Sequence, residues 1–292
     1  MKKAQLIIAN ELAYQKKISL ISDNNFNIGE LHTLPLLFDF VGCHINNENK
    51  FCMFLGGGDD GVALRFFWNG HYEKKTLSLW SDLCSKASGV IIDIGAHTGA
   101  YTLAALSLNN NIDVISFEPH FMNFSRLLLN IRTNQFKNSR SFMMCVGDEN
   151  KVVPFSISTD INYLSTGGSV GSRDKGVVAN IQQISLDSFL PQNVIETVSL
   201  IKIDVEGYEP NCLKGMHKIL QNGPTIFFEC IDSKSGHLVH EILSKYDYHF
   251  YEIDDLTDSV TAVKNIVAHY DKNNQILMNR INRIASVKKL FD

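Results

Sequence analysis

The sequence has no apolar run near the ~18 residues that a membrane-spanning helix requires. It has little charge bias: 27 Lys+Arg against 31 Asp+Glu give 27 − 31 = −4. That balance excludes the concentrated basic surface that nucleic-acid phosphates demand. It has six cysteines and no C-x-x-C spacing, so a zinc ribbon or a thiol redox motif is excluded. A chain of 292 residues needs no disulfide framework, and reduced thiols in a cytoplasmic protein are expected. The opening MKKAQLIIANELAYQKK holds an apolar stretch of only about six residues, shorter than a signal peptide. With 45% hydrophobic and 20% charged residues the composition is globular.

A strand–helix rhythm begins near residue 89. Before it, Phe38–His44 and Lys50–Leu55 predict short strands. The run Gly56-Gly57-Gly58-Asp59-Asp60-Gly61 predicts a hairpin turn and Val62–Trp68 a further strand. Glu73–Ser85 predicts an amphipathic helix with Leu77, Trp80, Leu83 and Cys84 on one face. From Gly89 onward, Val90–Ile94, Ile112–Phe117, Ser141–Val146, Val198–Ile203, Thr225–Cys230, Tyr248–Ile253 and Ala262–Ala268 predict strands. Tyr101–Leu108, Phe121–Arg132, Pro210–Leu220 and Leu238–Lys245 predict helices, and Ile276–Leu290 a closing one. The polar Ser165–Ser172 predicts a loop. This alternation implies an α/β fold with a mainly parallel sheet and helices on both faces.

Within it, Val90-Ile91-Ile92-Asp93-Ile94-Gly95-Ala96-His97-Thr98-Gly99 is a buried strand ending in Asp-x-Gly-x-x-x-Gly and opening into a helix. Gly95 suits the positive φ of a sharp strand-to-helix turn, and Gly99 a close backbone approach. The spacing differs from the G-x-G-x-x-G of nicotinamide and flavin enzymes. A wider loop headed by an acid suits a ligand with a cationic amino-acid head, which points to S-adenosylmethionine. Glu118 follows Gly99 by 19 residues, in Phe117-Glu118-Pro119 at the end of the next strand. There it can accept both ribose hydroxyls of an adenosine.

A third run, Lys202-Ile203-Asp204-Val205-Glu206-Gly207-Tyr208-Glu209, places alternating polar residues at a strand's carboxyl end, and Thr225–Glu229 again ends an apolar strand in an acid. Three roles remain open for the cluster. Asp204 or a neighbour is a general base; Asp204, Glu206 and Glu229 gather Mg²⁺ or Mn²⁺; or Lys202 neutralises structural carboxylates. His237 follows Glu229 by eight residues and is a further candidate base.

These three runs, with Ile184-Ser185-Leu186-Asp187-Ser188-Phe189, resemble the FkbM family of S-adenosylmethionine-dependent methyltransferases, over roughly residues 72–270. The resemblance implies a class I methyltransferase (Rossmann-like) fold with a seven-stranded sheet. The chain is then expected to divide into an extension at 1–71, holding strands and a hairpin, and a methyltransferase domain at 72–292. The family position after Gly-Ala is often Asn; here it is His97. The expected cofactor-binding set is Glu73, Asp93, Gly95, Ala96, His97, Gly99, Thr102, Glu118, Pro119, Val146 and Asp148. The last two are included as the end of the third strand, beside the adenine. The expected catalytic set is Asp204, Glu206, Glu229, Lys202 and His237. None of the six prolines is adjacent to another, so the Asn/Asp-Pro-Pro-Tyr motif suited to nitrogen acceptors is absent. Transfer to oxygen follows, with a hydroxyl of a sugar, polysaccharide or related natural product implied as acceptor. An N- or carboxyl-methyltransferase and a non-catalytic carbohydrate-binding relative are the alternatives.

Overall fold

The computed structural model describes residues 3–20, 26–46, 48–157, 169–171, 177–230, 233–253, 264–269 and 287–290. The chain opens with α1 (Lys3–Ser19) and α2 (Ile28–Leu31), then an antiparallel hairpin of β1 (Leu37–Ile45) and β2 (Glu48–Gly57). Two helices follow, α3 (Gly61–Trp68) and α4 (Lys74–Cys84). The expected strand at Val62–Trp68 is therefore a helix. Its initiator is Asp60, whose Oδ1 accepts the amides of Val62 and Ala63 at 2.9 and 3.1 Å, an N-cap at the end of the glycine run. Val62, Ala63, Leu64, Phe66, Phe67 and Trp68 are all buried, and a short apolar run of this kind reads alike as a buried strand or a buried helix. The glycine run is not a hairpin turn either. Asp59 instead accepts from Arg126 at 2.8 Å.

The main body continues with β3 (Val90–Ile94), α5 (Ala100–Leu108), β4 (Asp113–Phe117), α6 (Phe121–Thr133) and β5 (Ser139–Phe142). Next come β6 (Cys145–Val146), β7 (Lys151–Ile157), β8 (Ser169–Val170), β9 (Val177–Ile184), α7 (Leu186–Phe189) and α8 (Gln192–Ile195). Then follow β10 (Val198–Ile203), α9 (Glu209–Lys214), α10 (His217–Gln221), β11 (Thr225–Cys230), α11 (Ser233–Leu243), β12 (His249–Ile253), β13 (Lys264–His269) and β14 (Val287–Leu290). The central sheet runs β14-β12-β13-β11-β10-β3-β4-β5. Its pairings from β11 to β5 are parallel, while β13 is antiparallel to both β11 and β12. The strand order reverses between β3 and β10, which is where open α/β sheets bind ligands.

Three expectations are corrected here. Ser141–Val146 is not one strand: β5 belongs to the central sheet, and β6 pairs with β9 in a separate sheet of order β6-β9-β7-β8. Pro210–Leu220 breaks into α9 and α10 at Gly215, where a Cβ would lie 1.9 Å from the Gly147 carbonyl oxygen. Val287–Leu290 is an eighth strand, pairing with β12, instead of the end of a helix. Residues 276–286, and most of the 165–172 loop, lie outside the described residues.

Strand parity decides what the site faces. Ile92, Ile94, Ile201, Ile203, Ile226 and Phe228 enter one core, with the helices of the carboxyl-terminal half. Ile91, Val114, Leu200 and Phe227 enter the other, with α3, α4, α5 and the β1–β2 hairpin. Asp93, Ser116 and Lys202 lie two residues on from this second set, so they share the face covered by the amino-terminal segment.

The hairpin is fastened to α6 by amide side chains. Asn134 accepts from the Cys52 N–H and donates to its C=O, at 2.8 and 2.7 Å. Asn130 accepts from the Phe54 N–H at 2.8 Å and donates to the Thr98 C=O at 2.9 Å. One fully buried amide thus ties β2 to the loop after β3. Replacing Asn130 with Ala strands a donor and an acceptor. Urea unfolding should show a loss of about 2–4 kcal/mol, against under about 1 kcal/mol for Ser125→Ala on the exposed face of the same helix.

Candidate active site

The site is built in two rows across the sheet. In register, Ser116, Asp93 and Lys202 form the first. Two residues further along the strands, Gly95, Asp204 and Glu229 form the second. The rows are packed tightly because β3 and β10 stay joined past their ends: the Asp204 N–H donates to the Ile94 C=O at 2.9 Å. Gly95, at φ +79°, has no room for a side chain, since a Cβ would lie 1.9 Å from the Asp204 carbonyl oxygen. The turn is thus glycine both for its φ and for the approach of the acid-bearing strand.

Lys202 is 1% exposed, and its Nζ is 3.0 Å from Asp204 Oδ2 and 4.9 Å from the Tyr101 ring centroid. Burial opposes its charge, but Asp204, Glu73 and Glu229 outweigh burial and raise its pKa. Burial acts against the Asp204 charge too, yet the Lys202 ammonium, as neighbour and hydrogen-bond donor, keeps its pKa below the ordinary value. Glu229 takes the opposite state. Burial and the Asp204 charge push it up to about 9, and it shares a hydrogen bond with Asp204. The pair at neutral pH is a carboxylate flanked by an ammonium and a neutral carboxyl group. Glu73 sits at φ +37° before α4, accepts from the Tyr101 and Tyr72 hydroxyls, and is raised by burial.

A small cleft of about 30 Å³ lies over these rows, lined by Tyr72, Asp93, Gly95, Ala96, His97, Tyr101, Lys202 and Asp204, with Val62 and Ala100. Asp93 is buried, accepts from Thr102 Oγ1 at 2.6 Å, and is raised to about 6 chiefly by burial. Thr102 also meets Ser116 at 2.7 Å and is itself buried, so it braces Asp93 from behind. Gly99 begins α5 at φ +104°, with Leu127 of α6 against it.

Glu118 stands behind His97. Its two oxygens accept the N–H groups of His97 and His120, each at 2.8 Å, across Pro119. Burial raises it to about 7, against the lowering by those two amides. Around it stand polar atoms without partners: His97 Nε2 and both ring nitrogens of the 2%-exposed His120, which stacks on Phe121. A buried unpaired nitrogen is costly, so this corner has polar atoms that a polar group could satisfy.

The structure brings together Glu73, Asp93, Gly95, Ala96, His97, Lys202, Asp204 and Glu229. Other expected residues stand elsewhere. The strand ending beside Glu118 is β5, with the Glu118 N–H on the Phe142 carbonyl at 3.1 Å. Val146 lies in the smaller sheet, its carbonyl taken by the Cys212 thiol. Asp148 is held by Gln183 at 3.1 Å and Lys151 at 3.5 Å. Glu206 does not continue the alternation of Lys202 and Asp204, because β10 has ended and Glu206 turns at φ +56°. His237 is exposed on α11 and does not line the cleft. Among the described residues no group of three or more His, Cys, Asp or Glu side chains is placed to hold a metal ion. Asp204, Glu206 and Glu229 therefore do not form the expected ion site. Sequence reasoning missed Tyr72 and Tyr101, whose hydroxyls have no motif; their signal was only adjacency to Glu73 and Gly99.

The Methyltransferase FkbM domain matches residues 93–252, more than half of the chain. The chain belongs to the FkbM methyltransferase family. The sheet order, with its reversed β13, is the class I methyltransferase arrangement the resemblance implied. No curated protein matches the sequence. Among solved structures, precorrin-6y C5,15-methyltransferase from Geobacter metallireducens GS-15 is similar at 13% identity and TM-score 0.43, covering 69% of this chain and 89% of that one. A SAM-dependent O-methyltransferase from Thermotoga maritima gives 12%, 0.41, 69% and 66% for the same four measures. The Pyrococcus abyssi tRNA (uracil-54, C5)-methyltransferase in complex with S-adenosyl-L-homocysteine gives 11%, 0.44, 80% and 44%.

The charge states are testable on stability alone. The folded protein keeps a proton on Glu229 that the unfolded chain releases near pH 4.3. The stability this contributes is complete below that pH and is lost as pH rises towards about 9. Glu229→Gln should therefore gain stability over the wild type, increasingly from pH 5 to 9 in urea unfolding. Asp204→Asn removes the carboxylate hydrogen-bonded to the buried Lys202 ammonium and should cost about 2–4 kcal/mol at pH 7. Equal losses for both variants would show that Glu229 is ionised.

Proposed function

We propose that this protein transfers a methyl group from S-adenosylmethionine to a hydroxyl of a sugar, polysaccharide or related natural product. In this reading residues 72–292 act as the methyltransferase domain and 1–71 as an extension over its cleft. The observation that carries it is that Asp93, the Gly95-Ala96-His97 turn, Lys202 and Asp204 line one cleft, with Glu118 holding the His97 N–H behind it. The residues fit the cofactor at both ends. Glu118, once ionised, offers lone pairs to two ribose hydroxyls. The carboxyl-rich rows of Asp93, Asp204 and Glu73 suit an ammonium and a sulfonium.

When bound, S-adenosylmethionine supplies an electrophilic methyl group for in-line displacement. This chain's part is to align the acceptor and keep water out. Asp204 orients the acceptor hydroxyl and takes its proton as the oxygen loses charge to the new bond. Lys202 holds that carboxylate ionised and in place, and Glu229 donates to it from the neighbouring strand. Tyr72 and Tyr101 fix Glu73, whose charge balances Lys202. No part of this requires a nitrogen acceptor, and a cleft walled by carboxyl groups matches a polyhydroxylated one.

An acceptor screen with labelled cofactor and product mass spectrometry identifies the substrate. With it, Asp204→Asn should lower kcat by about 10²–10⁴, while affinity for S-adenosylhomocysteine changes by less than about threefold. Unchanged turnover would place Asp204 among the structural carboxylates.

A further inference from the structure

The outer face of α6 carries apolar residues that the site does not use. Its exposed positions are Phe121, Met122, Ser125, Leu128, Leu129 and Arg132. Four of these six are large and apolar, from 39% to 53% exposed. Phe121, Ser125, Leu128 and Leu129 follow the i, i+4, i+7, i+8 spacing of one helix face. The inward positions are already committed, Asn130 and Asn134 to β2 and Leu127 to the core. The apolar surface continues onto the hairpin. Arg126 lies over the Phe54 ring at 4.8 Å, and Phe54 meets the partly exposed Phe40 edge-on at 5.2 Å. On the other side α6 packs beside β5, the edge strand of the central sheet, and Met143 just past it is exposed. The charge of this edge has one sign. Residues 119–147 hold no Asp or Glu and four cations, Arg126, Arg132, Lys137 and Arg140, in a chain of net charge −4. Arg126 is spent on Asp59. Arg132, Lys137 and Arg140 are exposed and make no ion pair among the described residues.

We propose that this edge of the molecule, the outer face of α6 with β5, docks on the surface of an anionic phospholipid bilayer. Phe121, Met122, Leu128 and Leu129 enter the boundary between headgroups and acyl chains, as helices lying in the membrane plane do. Arg132, Lys137 and Arg140 take the anionic headgroups. The 13-residue helix offers about 20 Å of such surface. The one-sided charge decides between occupants. A second copy bringing the same face would set these cations against their own kind, whereas an anionic surface answers both the cations and the apolar stripe. The stripe begins at the candidate site. Phe121 stacks on His120, whose N–H is held by Glu118, so docking sets the Glu118 corner beside the membrane. Docking of this edge does not depend on methyl transfer.

Flotation of the full-length protein with vesicles tests this surface. Vesicles of phosphatidylcholine mixed with phosphatidylglycerol should carry the protein up the gradient, and vesicles of phosphatidylcholine alone should not. The double variant Leu128→Ser with Leu129→Ser should bind the mixed vesicles about tenfold more weakly. Arg132→Gln and Arg140→Gln should each weaken binding about fivefold, the loss expected for one cation near an anionic surface. Val152→Ser with Val177→Ser, at apolar positions more exposed still but on the smaller sheet, should change it by less than about twofold. Wild-type protein that fails to float with the mixed vesicles would overturn the proposal, as would equal binding by the leucine and valine variants. So would light scattering that shows a stable dimer which the leucine variant turns into a monomer, since the face would then belong to a second copy.

Discussion

Everything at the centre of this molecule is arranged around one buried ammonium. Lys202 stands on the middle of a parallel sheet, where an isolated charge is untenable. It persists because Asp204, Glu73 and Glu229 surround it. Each of those acids arrives from a different element: the end of β10, the start of α4 and the end of β11. Satisfying the lysine therefore pins three chain segments over the same edge of the sheet. The cleft above them is a consequence of that requirement.

The same arrangement explains why the site is carboxyl-rich without being strongly anionic. Only Asp204 is held clearly ionised, by the ammonium beside it. Glu229, Asp93 and Glu118 are raised to about 9, 6 and 7, in each case mainly by burial. A ligand carrying positive charge would favour ionisation of such groups, so binding and charge would rise together. Glu118 has a different part, because its oxygens organise the two residues, His97 and His120, that frame its corner.

How much of this was legible in the sequence follows from what each signal depends on. Val90–Ile94 was visible because a strand buried on both faces reads as an unbroken apolar run, and the Gly95 turn because its residue type is dictated locally. Lys202 and Asp204 followed from alternation. Glu206 did not, because alternation holds only while the strand lasts. Val62–Trp68 was misread because a short, nearly unbroken apolar run fits a buried strand as well as a buried helix, and its local marker was the Asp60 cap inside a glycine run. Val146 and Asp148 were misplaced because nothing local tells a strand that ends from one that crosses to another sheet. Asn130 holds a carbonyl 32 residues away in sequence, at Thr98, and no spacing rule reaches that far.

In the proposed function Glu118 and Asp204 face opposite ends of one adenosyl cofactor. A crystal structure of the protein grown with S-adenosylhomocysteine tests it most directly. The account predicts the ribose hydroxyls on the Glu118 oxygens and the sulfur towards the Asp204 side of the cleft. A ligand bound away from Glu118, or with its sulfur turned from Asp204, would contradict it.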